Sequence, residues 1–334
     1  MSIVIVGTNG LVGQEFIKLV EYDERFNDFI FVGSEKSKGT TINFRGFLHI
    51  IKTLDELDWT QNYIFINCAD KQQARDIKNN MSKQSIMIDN SSEFRLTDGI
   101  PLVVPEINFP KEKHQIYANP NCSTIILDLL LAPLENAYGI RRVVVSTYQA
   151  ASGAGKIGLE ELLLQNYQQA SNQELTRTFW NKQYIFNTFV HNTPIQENGY
   201  NEEENKIMKE THKIMNKKIP ITATCIRVPV LRSHCESVNI ELSKETSYDE
   251  IISLLEKCPY LEVVDDKETR SFPESVTTNN KTKVQVGHIR KDESLPNGYG
   301  WNFWISADQL LRGAAYNAYL ILINSFSKSE YISI

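Results

Sequence analysis

The chain from residue 3 to residue 21 reads IVIVGTNGLVGQEFIKLVE. A β-branched run opens this segment, glycines follow at positions 7, 10 and 13, and an amphipathic stretch closes it at residues 14–21. This order predicts a strand, a glycine-rich turn and a helix. Such glycines allow a tight turn, a close approach of the backbone to a pyrophosphate, and close packing of the helix on the strand. The segment therefore favours dinucleotide binding, and a glycine-rich turn that binds nothing is the alternative.

Three further segments, residues 29–33, 63–68 and 85–89, have the continuous apolar character of buried parallel strands. They alternate with stretches of helical character, which is the pattern of an open sheet covered by helices on both faces. We therefore predict an α/β fold that begins with a Rossmann-like, doubly wound dinucleotide-binding domain. Ligands of such sheets bind beyond the carboxyl ends of the strands, where Arg95 is expected to lie.

The residues after the second predicted strand bear on the choice of cofactor. Glu35 lies about 20 residues beyond the glycines, where an acidic residue accepts a hydrogen bond from the ribose 2′-hydroxyl of NAD. It is surrounded by Ser34, Lys36, Ser37 and Lys38. Hydroxyl and ammonium groups suit a 2′-phosphate better than a 2′-hydroxyl. The sequence thus favours NADP over NAD, and a polar loop without a ligand is the alternative.

Length and composition exclude several classes of protein. The 334 residues are 41% hydrophobic and 23% charged, with a formal net charge of -6. These values are ordinary for a globular protein and exclude a disordered or fibrous chain. The length corresponds to about two domains. A net negative charge argues against non-specific binding to nucleic acid or to an acidic membrane surface, so we expect neither partner.

Cysteine usage indicates a reducing compartment. The five cysteines are an odd number and form no CxxC pair, which indicates neither a disulfide framework nor a zinc site, and we predict no metal. The chain begins with a predicted strand rather than a basic segment followed by an apolar one. The apolar residues 314–323 are interrupted by Asn317. We therefore expect a cytoplasmic protein that is neither exported nor membrane-spanning.

The segment ANPNCST, residues 118–124, carries a candidate nucleophile. Pro120 restricts the residue before it to an extended conformation, Asn121 is a favourable N-cap, and an apolar helical run follows at residues 125–131, before Pro133. Cys122 is then predicted to be the first residue of a helix. At that position unpaired amides and the helix macrodipole favour a reactive thiolate. A buried cysteine at the start of a core helix is the alternative.

A second segment supports the nucleophile. Residues 142–147 are predicted to form a strand, residues 148–155 a polar turn with two glycines, and residues 158–166 a helix. Such a turn can place an amide and flexible backbone against a ligand.

Five blocks of sequence, taken together and in this order, resemble aspartate-semialdehyde dehydrogenases. They are NSSEFR at 90–95, PLVVPEIN at 101–108, NPNCST at 119–124, STYQA at 146–150 and RVPV at 227–230. The resemblance extends from Gly7 to Ala315. It implies NADPH-dependent reductive dephosphorylation of L-aspartyl 4-phosphate to L-aspartate 4-semialdehyde, a reversible step on the way to diaminopimelate, lysine, threonine and methionine.

The resemblance also implies roles for individual residues. Cys122 matches the nucleophile, which forms a thioester, and Gln149 matches the residue that orients this intermediate. His234 matches the acid/base, for which an unperturbed imidazole pKa near 6.5 is suitable. An isolated histidine at a strand end is otherwise usually structural.

A substrate with a carboxylate, an ammonium and a phosphoryl group requires holders of both charges. By resemblance, Arg227 binds the α-carboxylate, Glu203 the α-ammonium, and Lys206 and Arg95 the phosphate or inorganic phosphate, with Asn121 a further substrate-binding residue. On a helix, the spacing of Glu203 and Lys206 would put both on one face. Without the resemblance, residues 201–218 would be interpreted as a solvated helix.

The resemblance further implies the cofactor site and the domains. The implied NADP-binding residues are Gly7, Asn9, Gly10, Leu11, Val12, Gly13, Ser34, Lys36, Ser37, Ser152, Gly153 and Gln309. The NADP-binding domain is expected to be discontinuous, residues 1–121 and 309–334, and residues 122–308 are expected to form an α+β catalytic and dimerisation domain. A homodimer or homotetramer follows from this organisation.

Three departures from the family pattern leave other functions open. Residues 187–190 read NTFV, without the proline usual near the nicotinamide, and residues 67–71 form an unusually polar turn. Cys235 is a second thiol beside His234, either a site of oxidation or a small buried residue. A reductase for a related acyl phosphate such as N-acetylglutamyl phosphate is one alternative. A non-catalytic NADP-binding paralogue is another, and a cysteine hydrolase using Cys122 and His234 is the third.

Overall fold

The computed structural model describes residues 1–295 and 298–326. The chain forms two compact units: residues 1–121 with the chain from Ala314 onward make the first, and Cys122–Gly313 make the second. The first boundary coincides with the expected one, whereas the chain returns to the first unit after Gly313 rather than at Gln309. Gln309 stays in the second unit because its side chain and that of Asp308 are hydrogen-bonded there. Residues 327–334 of the expected domain lie outside the described residues.

The first unit contains seven strands and three helices within residues 1–121 of the described chain. They are β1 (Ser2–Val6), α1 (Leu11–Glu21), β2 (Phe29–Val32), β3 (Thr41–Phe44), β4 (Phe47–Ile50), β5 (Tyr63–Asn67), α2 (Lys71–Asn80), β6 (Ile86–Asp89), α3 (Pro105–Asn108) and β7 (Ile116–Ala118).

The second unit is built from longer strands and from helices. Its elements are α4 (Cys122–Tyr138), β8 (Ile140–Gln149), α5 (Gly155–Ala170), β9 (Phe189–Val190), α6 (Glu202–Ile214), β10 (Ile221–Arg227), β11 (His234–Leu242), α7 (Tyr248–Glu256), β12 (Leu261–Val263), α8 (Ser275–Thr278), β13 (Val284–Lys291) and β14 (Gly300–Ala307). A π-helical turn, Leu311–Ala315, then leads into α9 (Tyr316–Asn324).

The first unit has the predicted doubly wound architecture. Its parallel strands follow the order β2-β1-β5-β6-β7, and β3 pairs only with β4 among the described strands. The chain moves from β1 to one neighbour, β2, and later to the opposite neighbour, β5. This reversal makes the carboxyl ends of β1 and β5 a topological switch point, where α/β sheets bind ligands. Apolar side chains of β1, β5, α1 and α9 form the core.

The second unit is a mixed sheet with α4 packed on one face and the short helix α8 near the other. Its strand order is β12-β13-β14-β11-β8-β10-β9. Side chains alternate along β11, so His234, Glu236 and Val238 are buried while Ser237 and Asn239 are half-buried. The central helix α4 is buried along most of its length and packs on β8, β11, β13 and β14.

Helices deviate from the sequence prediction at their ends and in their exposure. The helix expected to stop before Pro133 continues to Tyr138, because burial of α4 offsets the hydrogen bond that proline cannot donate. The stretch 201–218 is not a solvated helix: α6 is shorter and buries Glu203, Glu204 and Glu210. None of the described helices is long and apolar enough to cross a membrane.

Candidate functional site

A cleft of about 920 Å³ opens at the switch point of the first unit. The residues that line it follow the carboxyl ends of β1, β2 and β5, and include Gly7, Asn9, Gly10, Ser34 and Lys36. These are predicted cofactor residues. The strand order and the position of the cleft thus agree with a site for an extended nucleotide ligand.

The glycine turn is required by close backbone packing. Gly7 has φ +86, and a Cβ there would lie 2.9 Å from the backbone carbonyl carbon of Cys68. A Cβ on Gly13 would overlap the Gly7 carbonyl oxygen. Gly10 caps α1 without a side chain, so it contributes no competing group to the amides of Leu11 and Val12 in the first turn. A pyrophosphate fits this cradle.

The polar groups of the loop after β2, which are expected near the ribose, differ in their exposure and in their bonding partners. Lys36 is exposed and lines the cleft, as does Ser34. Ser37 is buried, and its hydroxyl donates to the Ser34 carbonyl at 2.9 Å. Lys38 is ion-paired with Glu56 at 3.5 Å. Ser34 and Lys36 are therefore the groups of this loop best placed to meet a ligand.

Arg95 is held within the first unit by backbone carbonyls. Its Nε donates to the carbonyl of Asn119 at 2.9 Å, and its Nη2 donates to the carbonyl of Asn90 at 2.9 Å. Asn119 itself accepts a hydrogen bond of 2.7 Å from Asn317 of α9. Arg95 is buried, as is Asn121 at the end of the same unit. The arginine is thus fixed in direction rather than mobile at the surface.

The predicted nucleophile is placed by the second unit as expected. Cys122 is the first residue of α4 and is half-buried. The hydroxyl of the next residue, Ser123, accepts a hydrogen bond of 2.8 Å from Gln149 Nε2, and the same amide lies 3.2 Å from Glu203 Oε1. A Cβ on Gly313 would lie 3.0 Å from Cys122 Cβ, so only glycine leaves room behind the thiol.

A capping box fixes the first turn of α6. The Asn201 side chain accepts from the Glu204 amide at 2.9 Å, and Glu204 accepts from the Asn201 amide at 2.8 Å. The turn presents Glu203 and Lys206 on one face, as the spacing predicts. Lys206 Nζ lies 3.4 Å from Glu203 Oε2 and 3.0 Å from Glu202 Oε1.

Arg227, at the end of β10, is buried beside aromatic rings. Its Nη1 donates to the carbonyl of Ala150 at 3.0 Å, and its guanidinium lies 5.5 Å from the ring centroid of Trp180. Burial lowers the pKa of Arg227, and the charges of Glu203 and Cys122 oppose this shift. The guanidinium can therefore bind a carboxylate in a poorly solvated setting.

His234, at the start of β11, differs from the expectation in its ionisation. Burial lowers its pKa from 6.5 to about 3, and the charge of Arg227 acts in the same direction. The backbone amide of Ala150 donates to its Nδ1 at 3.0 Å. The pKa near neutrality that the sequence argument assumed is therefore lost on folding.

Gln309, Ser152 and Gly153 surround this histidine. Gln309 accepts a hydrogen bond of 2.7 Å from the amide of Ser233, which has φ +72, and donates to the Ser152 hydroxyl. A Cβ on Gly153 would lie 3.0 Å from His234 Cε1 and from Arg227 Nη1. Of these predicted cofactor residues, Gly153 thus lies against His234 and Arg227, while Gln309 bonds to Ser152 and to the residue before His234.

Sequence reasoning missed an aromatic wall. Trp180 and Tyr184 have ring centroids 4.5 Å apart, and Phe189 lies 5.1 Å from Tyr184. Phe189 of β9 is the register partner of Arg227, so the stretch that lacks the expected proline serves to support this arginine. The density of aromatic residues between 179 and 189 was the available signal.

The sequence did not single out His191, and it left two interpretations of Cys235 open. His191 is buried beside the site, and burial lowers its pKa to about 4, with the charge of Arg227 second. Cys235 points to the face opposite His234, is buried, and its Sγ lies 3.2 Å from the Ser275 hydroxyl and 3.4 Å from that of Ser306. It is a small core residue rather than a second active thiol.

The second unit thus groups a thiol at a helix start, an orienting amide, a buried guanidinium, a carboxylate–ammonium pair and an imidazole. This set can bind a small amino acid and attack an activated acyl group. Among the described residues, no cluster of His, Cys, Asp and Glu could hold a metal ion.

Two family models match the chain. One is described as semialdehyde dehydrogenase, NAD binding domain, and covers residues 2–116; the other is described as semialdehyde dehydrogenase, dimerisation domain, and covers residues 131–312. The two matches follow the two compact units.

Relatives named aspartate-semialdehyde dehydrogenase are similar over nearly the whole chain. The protein of Prochlorococcus marinus is 37% identical over 95% of this chain and 94% of its own length, and that of Aquifex aeolicus is 36% identical over 95% of each. A crystal structure of aspartate semialdehyde dehydrogenase II from Vibrio cholerae has a TM-score of 0.91 and 33% identity, covering 96% of this chain and 97% of its own. The Vibrio enzyme has also been crystallised in a complex with ASA.

Proposed function

The chain belongs to the aspartate-semialdehyde dehydrogenase family, and from that premise we propose that it converts L-aspartyl 4-phosphate to L-aspartate 4-semialdehyde, reversibly, with NADPH. The observation that carries this proposal is the link from Gln149 to both Ser123 and Glu203, which joins the thiol segment to the residue proposed to bind the substrate ammonium. The reaction would supply the biosynthesis of diaminopimelate, lysine, threonine and methionine.

Cys122 is proposed to attack the acyl carbon as a thiolate. A carbon–sulfur bond forms, the carbon–oxygen bond to phosphate breaks, and a thioester remains. Gln149 is proposed to orient this thioester, since its amide is fixed by Ser123 and Glu203. In the reverse direction inorganic phosphate cleaves the thioester.

Substrate recognition is assigned by charge. Arg227 is proposed to bind the α-carboxylate, because its guanidinium is buried and held by the carbonyl of Ala150. Glu203 is proposed to bind the α-ammonium, a preference that opposes an N-acylated substrate. Lys206, and in the first unit Arg95, are proposed to bind the phosphoryl group or phosphate, and Asn121 is proposed as a further substrate-binding residue.

The proposed cofactor is NADP, held in the cleft of the first unit by Gly7, Asn9, Gly10 and Gly13. When bound, its nicotinamide supplies the hydride that reduces the acyl group. Ser34 and Lys36 are proposed to face the 2′-phosphate. The residues that line the cleft also include four carboxylates, those of Glu35, Asp55, Asp70 and Asp76. The preference for NADP over NAD is therefore measured by comparing NADP⁺ with NAD⁺.

The second unit is proposed to form a homodimer, or dimers of dimers, through the sheet face away from α4. Half-buried side chains cover that face, among them Val144, Ser146, Tyr148 and Trp304. A partner would complete their burial. Cysteines in the thiol form suit the reducing cytoplasm, which is the proposed compartment.

The test is reduction of NADP⁺ by the purified protein with L-aspartate semialdehyde and phosphate, with NAD⁺ in parallel. We expect Cys122→Ala to lose activity roughly 10³-fold or more. Without phosphate, the wild type should retain an aspartyl adduct on Cys122, detectable by mass spectrometry of the intact protein and its peptides. Cys258→Ser is the matched control, because Cys258 is another half-buried thiol, and it donates to the carbonyl of Leu254 in the preceding helix at 3.5 Å. Turnover by Cys122→Ala would contradict the proposal.

A further inference from the structure

We propose that Trp180 is a positioning residue for Arg227: its ring holds the guanidinium in place of a counter-ion, so that the positive charge stays available for the α-carboxylate of the substrate. This inference rests on the proposed function, because it concerns the same carboxylate site. It gives a role to a side chain that no motif in the sequence singled out.

Arg227 has few polar partners for a buried cation. Its side chain is buried, and its Nη1 donates to the carbonyl of Ala150 at 3.0 Å, while its Nε has no hydrogen-bond partner among the described residues. Within the part of the chain that the structure describes, no carboxylate forms an ion pair with Arg227; Glu203 lies 3.4 Å from Lys206 Nζ instead. Buried cations are usually paired with an anion, so another group must stabilise this one.

The indole of Trp180 supplies that stabilisation. Arg227 Cζ lies 5.5 Å from the centroid of the ring, within the range of a cation–π interaction. Trp180 is only 2% exposed, and the attraction is strongest where water is excluded. A ring face stabilises a cation without cancelling its charge and without accepting its N–H groups in the way a carboxylate does. The donors that Ala150 does not use therefore stay available for a ligand carboxylate.

Helix α5 fixes the ring of Trp180 in place. The indole Nε1 donates to the carbonyl of Gly158 at 3.0 Å, and Glu161 accepts from the backbone amide of Trp180 at 3.1 Å. Gln165, on the same face of α5, accepts from the amide of Tyr184 at 2.7 Å. Three residues of one helix face thus hold the segment that carries the ring, so the ring cannot move with the arginine.

The pairing of the strands places the arginine and the aromatic wall on one side of the sheet. Arg227 is the register partner of Gln149 on β8 and of Phe189 on β9. Side chains of register partners lie on the same face of a sheet. The ring of Phe189 lies 6.0 Å from that of Trp180, and the ring of Tyr184 lies 4.5 Å from it. A change at Trp180 is therefore expected to affect the substrate through Arg227.

Kinetics with two aldehydes test this role. L-Aspartate semialdehyde carries the α-carboxylate, and 3-aminopropanal is the same molecule without it. We expect Trp180→Leu to raise KM for the semialdehyde roughly 10–50-fold and to change kcat less than about 3-fold, since it removes a hold on the group that binds the carboxylate. The kcat/KM for 3-aminopropanal should change less than about 3-fold. Trp180→Phe keeps an aromatic face and should recover at least about 3-fold of the rise in KM.

Equal losses of kcat/KM for the two aldehydes in Trp180→Leu, or an unchanged KM for the semialdehyde, would overturn the proposal. Trp301→Leu is the matched control, because Trp301 is also buried and has Lys291 Nζ 5.8 Å from its ring centroid. This variant should leave KM unchanged. A rise in KM as large as that of Trp180→Leu would show that loss of any buried indole is the cause, and would overturn the proposal.

Gly158→Ala displaces the ring without removing it. A Cβ on Gly158 would lie 2.9 Å from Trp180 Cζ2, and alanine is otherwise favourable within a helix. We expect KM for the semialdehyde to rise roughly 3–10-fold in this variant, with a smaller change in kcat. An unchanged KM would mean that the position of the ring does not matter, which contradicts the proposal.

Binding of L-2-aminobutyrate, in which a methyl group replaces the aldehyde, reads the site without turnover. In titrations followed by proton NMR, its affinity should fall at least about 10-fold in Trp180→Leu, whereas propylamine, which lacks the carboxylate, should bind both proteins equally. A wild type that binds the amino acid in this Trp180-dependent way but does not reduce NADP⁺ would contradict the proposed function and support this inference. A wild type that reduces NADP⁺ but whose affinity for the amino acid is unchanged by Trp180→Leu would overturn this inference alone.

Discussion

At Gly153 the backbone lies so close to the side chains of Arg227 and His234 that a larger residue would collide with them. A methyl group there would lie 3.0 Å from Arg227 Nη1 and 3.1 Å from His234 Nε2, closer than a carbon normally approaches. Gly153 is exposed on its other side, so the core is not affected. We predict that Gly153→Ala lowers kcat/KM roughly 10–100-fold, because displacement of reacting groups by a fraction of an ångström is sufficient. The thermal midpoint should change little.

Gly155 in the same loop is the matched control for Gly153. It has φ +81, and a Cβ there would meet nothing within 4 Å. Gly155→Ala should therefore destabilise the protein by about 1–2 kcal/mol through backbone strain and leave kcat/KM nearly unchanged. Equal losses of activity in both variants would show that loop strain, rather than contact with the two side chains, is the cause.

At the scale of the element, the first turn of α6 contributes to folding stability and also carries residues proposed to bind the substrate. Asn201 caps the turn that carries Glu203 and Lys206, and Glu204 also accepts from the Cys225 amide of β10 at 3.0 Å. Asn201→Ala should cost about 1 kcal/mol of folding free energy. Because the loosened turn carries two residues proposed to bind the substrate, we predict that KM for the semialdehyde rises roughly 3–10-fold while kcat changes less.

The capping box of α7 offers a comparison for that of α6. Ser247 and Glu250 form the same reciprocal pair there. Ser247→Ala should lose a similar free energy of unfolding, measured by denaturant titration, without a change in KM. A rise in KM with Ser247→Ala as well would mean that general destabilisation, and not the turn at Glu203, sets substrate affinity.

Local patterns predicted the elements that depend on nearby residues. The glycine turn and the start of α4 at Cys122 follow from backbone requirements within a few residues. The burial of α6 could not be predicted in this way, because its charged sequence is typical of a solvated helix. Its polar groups find partners that are distant in sequence: the amide of Cys225 donates to Glu204, and the hydroxyl of Thr193 accepts from the amide of Glu203. The support of Arg227 by Trp180 likewise joins residues distant in sequence.

At the scale of the whole molecule, the same limit applies to ionisation. The sequence argument for His234 assumed an ordinary imidazole pKa, and nothing in the sequence singled out Glu236. Burial changes both: it lowers the pKa of His234 to about 3 and raises that of Glu236 well above its usual value, and the charge of Asp128 on α4 adds to the second shift. The pKa of Asp128 on α4 is raised in the same way. Such shifts depend on which element covers the strand.

The buried histidines and the buried carboxyl groups make the folding stability depend on pH in opposite directions. His191 and His234 have lower pKa values folded than unfolded, so unfolding takes up protons and stability falls as the pH drops below about 6.5. Glu236 and Asp128 have higher pKa values folded than unfolded, so the folded state retains protons that the unfolded chain releases. Their contribution to stability is therefore lost as the pH rises above about 4.5.

Glu236→Gln isolates the alkaline side of this dependence. Both carboxyl oxygens of Glu236 lack hydrogen-bond partners among the described residues, and the side chain is fully buried near Asp128. An amide cannot ionise, so the variant loses the decline that Glu236 causes as the pH rises. We predict that the thermal midpoint of Glu236→Gln relative to the wild type increases between about pH 5 and pH 8, by roughly 2–4 °C for each kcal/mol regained. Glu245→Gln, at an exposed glutamate, should show a difference that does not vary with pH. A difference for Glu236→Gln that is flat or falls towards pH 8 would mean that Glu236 is ionised in the folded protein.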